Sequence, residues 1–205
     1  MITLYRAPYS TNVERVALAL AHKGLEVESV VISYDDRSPV QRVSGQGLVP
    51  VIDDDGTVVV DSMQIIRYLE RRHPEPPLYP ADEARRAELA VFVDWFDNVW
   101  KLAPNGIEAE QASVRPDERR TAELAAAMTA ALYRFEALLA GRKHLMDDEF
   151  SAADCAAFPF LKYALRRDRA DGERLHRILD DHQRLGDDHP RLTAWIERVD
   201  ARPRA

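Results

Sequence analysis

The sequence predicts two domains of different class, a small α/β domain followed by an all-helical bundle. Strand-like and helix-like segments alternate over roughly the first 75 residues. Four prolines then lie between positions 74 and 80, a density that a regular helix does not accommodate. Beyond position 82 only helical periodicity recurs. We therefore place an α/β domain at residues 1–75, a linker at 76–81 and a helical domain at 82–205.

The first domain divides into seven elements in the order β-α-β-α-β-β-α. Residues 2–5 predict a strand, and apolar residues at helical spacing over 13–22 predict a helix that ends at Lys23-Gly24. The β-branched segment 27–32 predicts a second strand, and 37–44 predicts a short helix or turn. Residues 49–53 and 57–60 flank Asp-Asp-Gly, which is a hairpin signal. A helix over 62–72 completes the domain.

The second domain is predicted to consist of helices alone. Helical periodicity extends over five segments, with no strand-like alternation between them. These segments are 82–111, 117–140, 151–167, 171–185 and 190–201.

Composition excludes several functions. The net charge of −7 argues against nucleic acid as a partner, and no apolar run approaches the roughly 18 residues of a membrane span. The first residues do not resemble a signal peptide, and Cys155 is the single cysteine, so we expect a cytoplasmic protein without dithiol chemistry. The six histidines lack metal-ligand spacing, so no metal site is expected.

Two short segments of the first domain carry candidate binding groups. Val49-Pro50 stands at the start of a predicted strand, where a proline is either an ordinary edge residue or a cis proline that turns the preceding backbone outward. Asp61-Ser62 precedes the helix at 62–72 and is either a helix cap or a site for a ligand. In the second case, helix-end amides and the Ser62 hydroxyl bind a carboxylate, and Asp61 receives an ammonium group.

The order of elements together with these two segments resembles the glutathione-binding half of the glutathione transferase superfamily. The resemblance implies a thioredoxin-like first domain in which the Val49-Pro50 backbone, with a cis bond, pairs with the cysteinyl part of glutathione. It assigns the γ-glutamyl end of glutathione to Asp61 and Ser62, although Asp61 is one methylene shorter than the more usual Glu. It also implies a homodimer, with Met63 and Phe92 as candidates for the exposed contact faces.

Two segments extend the resemblance into the helical domain. Ser151-Ala-Ala-Asp154 is a capping box, whose role is structural, and it is similar to the capping motif of the superfamily's central helix. The surrounding 148–155 segment is also similar to stringent starvation protein A. Residues 190–195 and Arg202-Pro203 resemble the last helix of the family.

The residue that activates the thiol is less evident. Family members place Ser, Cys or Tyr near the end of the first strand or the start of the first helix, but the segment Tyr5-Arg6-Ala7-Pro8-Tyr9-Ser10 has Ala7 at the reactive position. Alanine can neither attack nor donate a hydrogen bond. Ser10 is the nearest hydroxyl at the amino end of the following helix, and Tyr9 and Tyr5 are further candidates. The alternative for each of the three is a structural role as a helix cap, a surface residue or a core residue.

An aromatic cluster begins the helical domain at Phe92, Trp95, Phe96 and Trp100. Such spacing is typical of a core or a dimer contact. In the family this helix contributes to the acceptor pocket, so the resemblance makes Trp95, Asn98 and Trp100 candidates for contacts with the second substrate.

Two functions follow from the resemblance. The first is an enzyme that conjugates glutathione, or another low-molecular-weight thiol, to a small electrophile. The second is a binding or regulatory protein of the stringent starvation protein A type, with a protein partner and without catalysis.

Overall fold

The computed structural model describes all 205 residues, and their contacts divide the chain into two compact units. The first unit comprises Met1–Tyr79 and Arg202–Ala205, and the second comprises Pro80–Ala201. The predicted fold class, a thioredoxin-like domain followed by a helical domain, is confirmed. The last four residues, which the sequence analysis assigned to the helical domain, contact the first unit instead.

The first unit contains four strands and three helices. Their order is β1 (Ile2–Arg6), α1 (Thr11–His22), β2 (Val27–Val31), α2 (Ser38–Ser44), β3 (Val51–Asp54), β4 (Thr57–Val60) and α3 (Ser62–Arg72). The strands form one mixed sheet in the order β2-β1-β3-β4, with β1 parallel to β2 and antiparallel to β3. This is the β-α-β-α-β-β-α order that the periodicity predicts.

The register of the sheet places three loops at one end of it. Tyr5 of β1 pairs with Val51 of β3, and Val51 pairs with Val60 of β4. Strands β1 and β4 end close to these three paired residues, and β3 begins at them. The segment after β1, the segment before β3 and the segment after β4 therefore lie at the same end of the sheet.

Helices α1 and α3 pack against each other, and each buries an apolar face. Leu18 and Leu20 of α1 and Ile65 and Leu69 of α3 are almost completely buried. The C-cap of α1 is Lys23, whose Nζ contacts Glu70 Oε2 at 2.7 Å and the carbonyl oxygen of Pro76 at 3.0 Å. This buried ammonium ties the proline-rich linker to both helices.

The residues after the last helix form a tail on the first unit. Ala205 N donates to the Ala17 carbonyl of α1 at 3.2 Å, and Arg6 Nη1 donates to the Ala205 carbonyl at 2.9 Å. Arg204 Nη2 lies 3.1 Å from Glu14 Oε1, also on α1. The tail Arg202–Ala205 is therefore held by backbone bonds and an ion pair.

The second unit is entirely helical. Its helices are α4 (Glu83–Trp95), α5 (Leu102–Ala112), α6 (Glu118–Leu138), α7 (Ala152–Leu161), α8 (Arg174–His182) and α9 (Pro190–Asp200). A π-helical turn, Phe96–Trp100, separates α4 from α5, and a 3₁₀ turn, Lys162–Ala164, follows α7. No helix of the chain combines the length and the apolar character needed to cross a membrane.

The single helix predicted at 82–111 is therefore interrupted. Pro104 lies in the first turn of α5, where its ring excludes the carbonyl of the residue four positions earlier, Trp100, from a regular helical bond. The chain accommodates this with the wider π-helical turn. The predicted helices at 151–167 and 171–185 are shorter in the structure, where they span 152–161 and 174–182.

The capping box predicted at Ser151 is present, and its acid is the centre of a buried network. Asp154 is fully buried and accepts hydrogen bonds from Ser151 N at 2.9 Å, Leu145 N at 3.1 Å and Trp195 Nε1 at 2.7 Å. Burial by itself raises the pKa of Asp154, but the contacts with His144, Trp195 and Leu145 outweigh burial, and the pKa lies below its ordinary value. Asp154 thus connects α7 to α9.

Candidate functional site

Three loops at one end of the first unit's sheet bring together most of the predicted site residues. The loop after β1 carries Ser10, the segment before β3 carries Val49 and Pro50, and the turn after β4 carries Asp61, next to Ser62 at the start of α3. Residues from three distant parts of the sequence therefore lie at one edge, as the register of Tyr5, Val51 and Val60 requires.

Ser10 is the N-cap of α1. Its Oγ accepts a hydrogen bond from Val13 N at 3.3 Å. A hydroxyl has one proton and two lone pairs, so a cap serine keeps its proton for another acceptor. The amino end of α1 also carries the positive end of the helix dipole. Ser10 thus has a structural role and, in addition, the chemistry needed to stabilise a thiolate.

The two tyrosines have different surroundings. Tyr9 is exposed and adopts a positive φ of 57° in the turn before Ser10. Tyr5 packs against the buried cluster of Ile32, Val40 and Val51, so its side chain contributes to the core. Ala7 is almost completely buried, at the position where family members carry a reactive side chain.

The Val49–Pro50 peptide bond is cis, as the resemblance predicts. The Val49 side chain packs on the cluster that Val51 belongs to. Neither the amide nor the carbonyl of Val49 makes a hydrogen bond with another backbone group in the loops and turns. Val49 therefore has a backbone donor and acceptor available at the same end of the sheet as Ser10.

Asp61 is the N-cap of α3, with a positive φ of 69°. Its Oδ1 accepts hydrogen bonds from Met63 N at 3.1 Å and Gln64 N at 3.0 Å. These two amides, which we expected to receive a carboxylate, are therefore occupied by Asp61. Because both bonds go to Oδ1, the Oδ2 atom remains for another donor. Ser62 is 4% exposed and begins the helix.

Sequence reasoning missed one residue that contacts this candidate site, Arg15 on α1. Arg15 is 1% exposed, and its Nη1 lies 3.4 Å from Ser62 Oγ, a long hydrogen bond. A single arginine in a helix is usually a surface residue. Its spacing could have revealed it. Arg15 follows Thr11 by four positions and precedes Leu18 by three, which places the three residues on one face of α1, and all three are buried.

The three predicted acceptor residues belong to the second unit and have different environments. Trp95 lines a groove of about 600 Å³ together with Val91, Phe92 and Met146. Asn98 is exposed and donates to Asp94 Oδ1 at 2.8 Å. Trp100 is buried and stacks on Phe96, with ring centroids 4.5 Å apart, so it is a core residue. Only Trp95 of these three residues lines the groove.

Comparison with known families identifies both domains. Residues 4–77 match the glutathione S-transferase N-terminal domain, and residues 102–203 match the glutathione S-transferase C-terminal domain. The chain therefore belongs to the glutathione S-transferase family.

Individual relatives give the same result. Glutathione S-transferase GstB of Escherichia coli K12 is 31% identical over 172 residues, which cover 78% of this chain and 82% of that protein. The crystal structure of a glutathione S-transferase from Rhodospirillum rubrum F11 superposes with a TM-score of 0.75 and 27% identity, covering 99% of this chain and 89% of the other.

The regulatory alternative has weaker support. A stringent starvation protein A homolog of Coxiella burnetii is 24% identical over 164 residues, covering 78% of this chain and 75% of that protein. Glutathione S-transferase GstB has a higher sequence identity to this chain over a similar length. The comparisons therefore do not favour a protein of the stringent starvation protein A type.

Proposed function

We propose that the first unit binds glutathione and that the protein conjugates its thiol to a small electrophile. The observation that carries the proposal is the convergence of Ser10, Val49 and Asp61-Ser62 at one end of the sheet. Glutathione has a γ-glutamyl carboxylate, an ammonium group, a cysteinyl backbone and a sulfur atom, besides its glycyl carboxylate. This edge offers a partner of matching chemistry for each of the first four groups.

Each residue has a distinct role in the proposed complex. Ser62 donates to the γ-glutamyl carboxylate, and Asp61 Oδ2 accepts from the ammonium group. Val49 pairs its amide and carbonyl with the cysteinyl backbone. Ser10 donates a hydrogen bond from its hydroxyl to the sulfur and, with the dipole of α1, favours the thiolate over the thiol, whose proton is released to solvent. The thiolate then attacks the electrophile, and the leaving group departs with the bonding electrons.

Glutathione binding tests the first half of the proposal. A hydrogen bond to a charged group contributes about 1.5–3 kcal/mol, so Ser62→Ala should weaken glutathione binding about tenfold or more in titration calorimetry. Ser29→Ala, on the far strand β2, is the matched control and should leave the affinity unchanged. Equal affinities for wild type and Ser62→Ala would contradict the assignment.

Conjugation tests the second half. The wild type should accelerate the reaction of glutathione with an aryl halide, measured by absorbance of the thioether. Binding of glutathione without conjugation to any of several electrophiles would leave the binding site in place and overturn the transferase activity. Trp95 and Asn98 stay predictions for the acceptor, and the cytoplasmic location stays a prediction from the sequence.

A further inference from the structure

Helix α1 carries a buried charged residue, Arg15, close to the start of α3. A guanidinium is charged at any pH a protein meets, and arginine is rarely buried without a specific partner. Arg15 is 1% exposed in a helix whose other buried positions are mostly Val, Ala and Leu. Its side chain reaches Ser62 at the beginning of α3.

The direction of this hydrogen bond determines where the Ser62 proton can go. Arg15 has only donors, so it occupies a lone pair of Ser62 Oγ. The hydroxyl proton of Ser62 must then point to a different acceptor. A donor that binds the oxygen also polarises the hydroxyl, which makes the hydroxyl a stronger donor in its turn.

The positive charge of Arg15 also reduces the repulsion between two carboxylates in the proposed complex. Asp61 precedes Ser62 and carries a carboxylate on the same turn, so a ligand carboxylate at Ser62 approaches a like charge. Asp61 already uses two of the amides at the end of α3. A fixed positive charge behind Ser62 offsets this repulsion without occupying the space of the ligand.

We propose that Arg15 is a positioning residue for the γ-glutamyl carboxylate of glutathione. It directs the Ser62 hydroxyl proton toward that carboxylate and supplies the buried positive charge that balances Asp61. This inference rests on the proposed function, because it assigns one end of the same ligand.

The test compares two ligands, glutathione and an analogue that lacks only the γ-glutamyl α-carboxylate. Wild type should bind glutathione about tenfold more tightly than the analogue in titration calorimetry. Arg15→Gln should bring this ratio below about twofold, chiefly by weakening glutathione. A general loosening of the fold would weaken both ligands alike and leave the ratio unchanged. The ratio thus separates positioning from a purely structural role.

Control variants make the comparison specific. Arg71→Gln removes one positive charge from the exposed end of α3 and should keep the wild-type ratio. If Arg15→Gln does not unfold cooperatively, Arg15→Lys takes its place. Lysine keeps the charge but lacks the planar fork, and we expect a ratio of about threefold.

Two results would overturn the inference. A folded Arg15→Gln or Arg15→Lys protein that keeps the tenfold ratio would show that Arg15 does not act on the carboxylate, while the proposed function would stand. Absence of glutathione binding by the wild type would overturn the proposed function and this inference together.

Discussion

Ser10 caps α1 by accepting a hydrogen bond from Val13 N, and its own proton remains available for another acceptor. We propose that this acceptor is the sulfur of bound glutathione. Ser10 would then replace the side chain that Ala7, three residues earlier in the loop, does not supply.

Substitution of Ser10 should separate catalysis from binding. Ser10→Ala removes the donor to the thiolate, so turnover should fall about 10²-fold while glutathione affinity changes little. The pKa of the bound thiol, followed by thiolate absorbance against pH, should rise. Tyr9→Phe and Tyr5→Phe are the controls for a phenol acting instead. An active Ser10→Ala enzyme with wild-type turnover would refute the assignment and leave the proposed activity open to another donor.

Residue-level prediction reaches furthest where a residue is part of a motif and least far where its surroundings depend on the fold. Asp61 and Ser62 could be proposed from the sequence because they stand at the start of a helix that the sequence makes evident. Arg15 was missed because its partner, Ser62, is 47 residues away and the pairing arises only when α1 and α3 pack. Trp100 was placed in a pocket because spacing does not show which side of a helix faces the core.

At the scale of elements, periodicity predicted the order of strands and helices well. Each element's apolar face comes from a short, continuous stretch of sequence, so its periodicity can be recognised locally. Periodicity missed the π-helical turn at Phe96–Trp100, which depends on a proline just beyond it, and the association of the tail with the first unit. A tail of four residues has no periodicity that could reveal where it binds.

His22 at the end of α1 holds this tail in a way that depends on its protonation. Its Nε2 lies 3.1 Å from the Pro77 carbonyl, which can only accept, so Nε2 carries the proton. Its Nδ1 then accepts from Arg202 Nη2 at 2.8 Å. Burial, with a smaller contribution from Arg202, lowers the pKa of His22 below its ordinary 6.5 despite the opposing bond to Pro77.

This arrangement predicts a loss of stability in mild acid. Because the folded-state pKa lies below that of the unfolded chain, the stabilising contribution of neutral His22 is complete above pH 6.5 and is lost as the pH falls through the folded-state pKa. Urea unfolding at about pH 7.5 and about pH 5 measures the change in free energy. His22→Gln should reduce this change, whereas His182→Gln should not. A full wild-type change in His22→Gln would contradict the prediction.

At the scale of the whole molecule, the family usually dimerises, and we propose that this protein is a homodimer. The sequence analysis took Met63 and Phe92 as exposed contact residues, but both are largely buried within the chain. Phe92 nevertheless lines the groove of the second unit, and we take this groove as the candidate surface for the dimer. Val91 at this groove is 69% exposed, and a valine so exposed beside an apolar groove is typical of a contact surface.

A charge introduced at this groove should weaken the dimer. We expect wild type to have about twice the 23.3 kDa mass of the chain in light scattering, and Val91→Glu to approach the monomer mass. Val114→Glu is the matched control, because Val114 is 98% exposed and does not line the groove. A wild type that remains monomeric at micromolar concentration would refute the homodimer, and a dimeric Val91→Glu protein would exclude this groove as its interface.

The most direct test of the account is a crystal structure of the protein with glutathione. We predict that the sulfur lies within hydrogen-bond distance of Ser10 Oγ, with the cysteinyl backbone paired to Val49. The γ-glutamyl carboxylate should contact Ser62, and the ammonium group should contact Asp61 Oδ2. Glutathione bound away from this end of the sheet, or bound here with its carboxylate turned away from Ser62, would contradict the central claim.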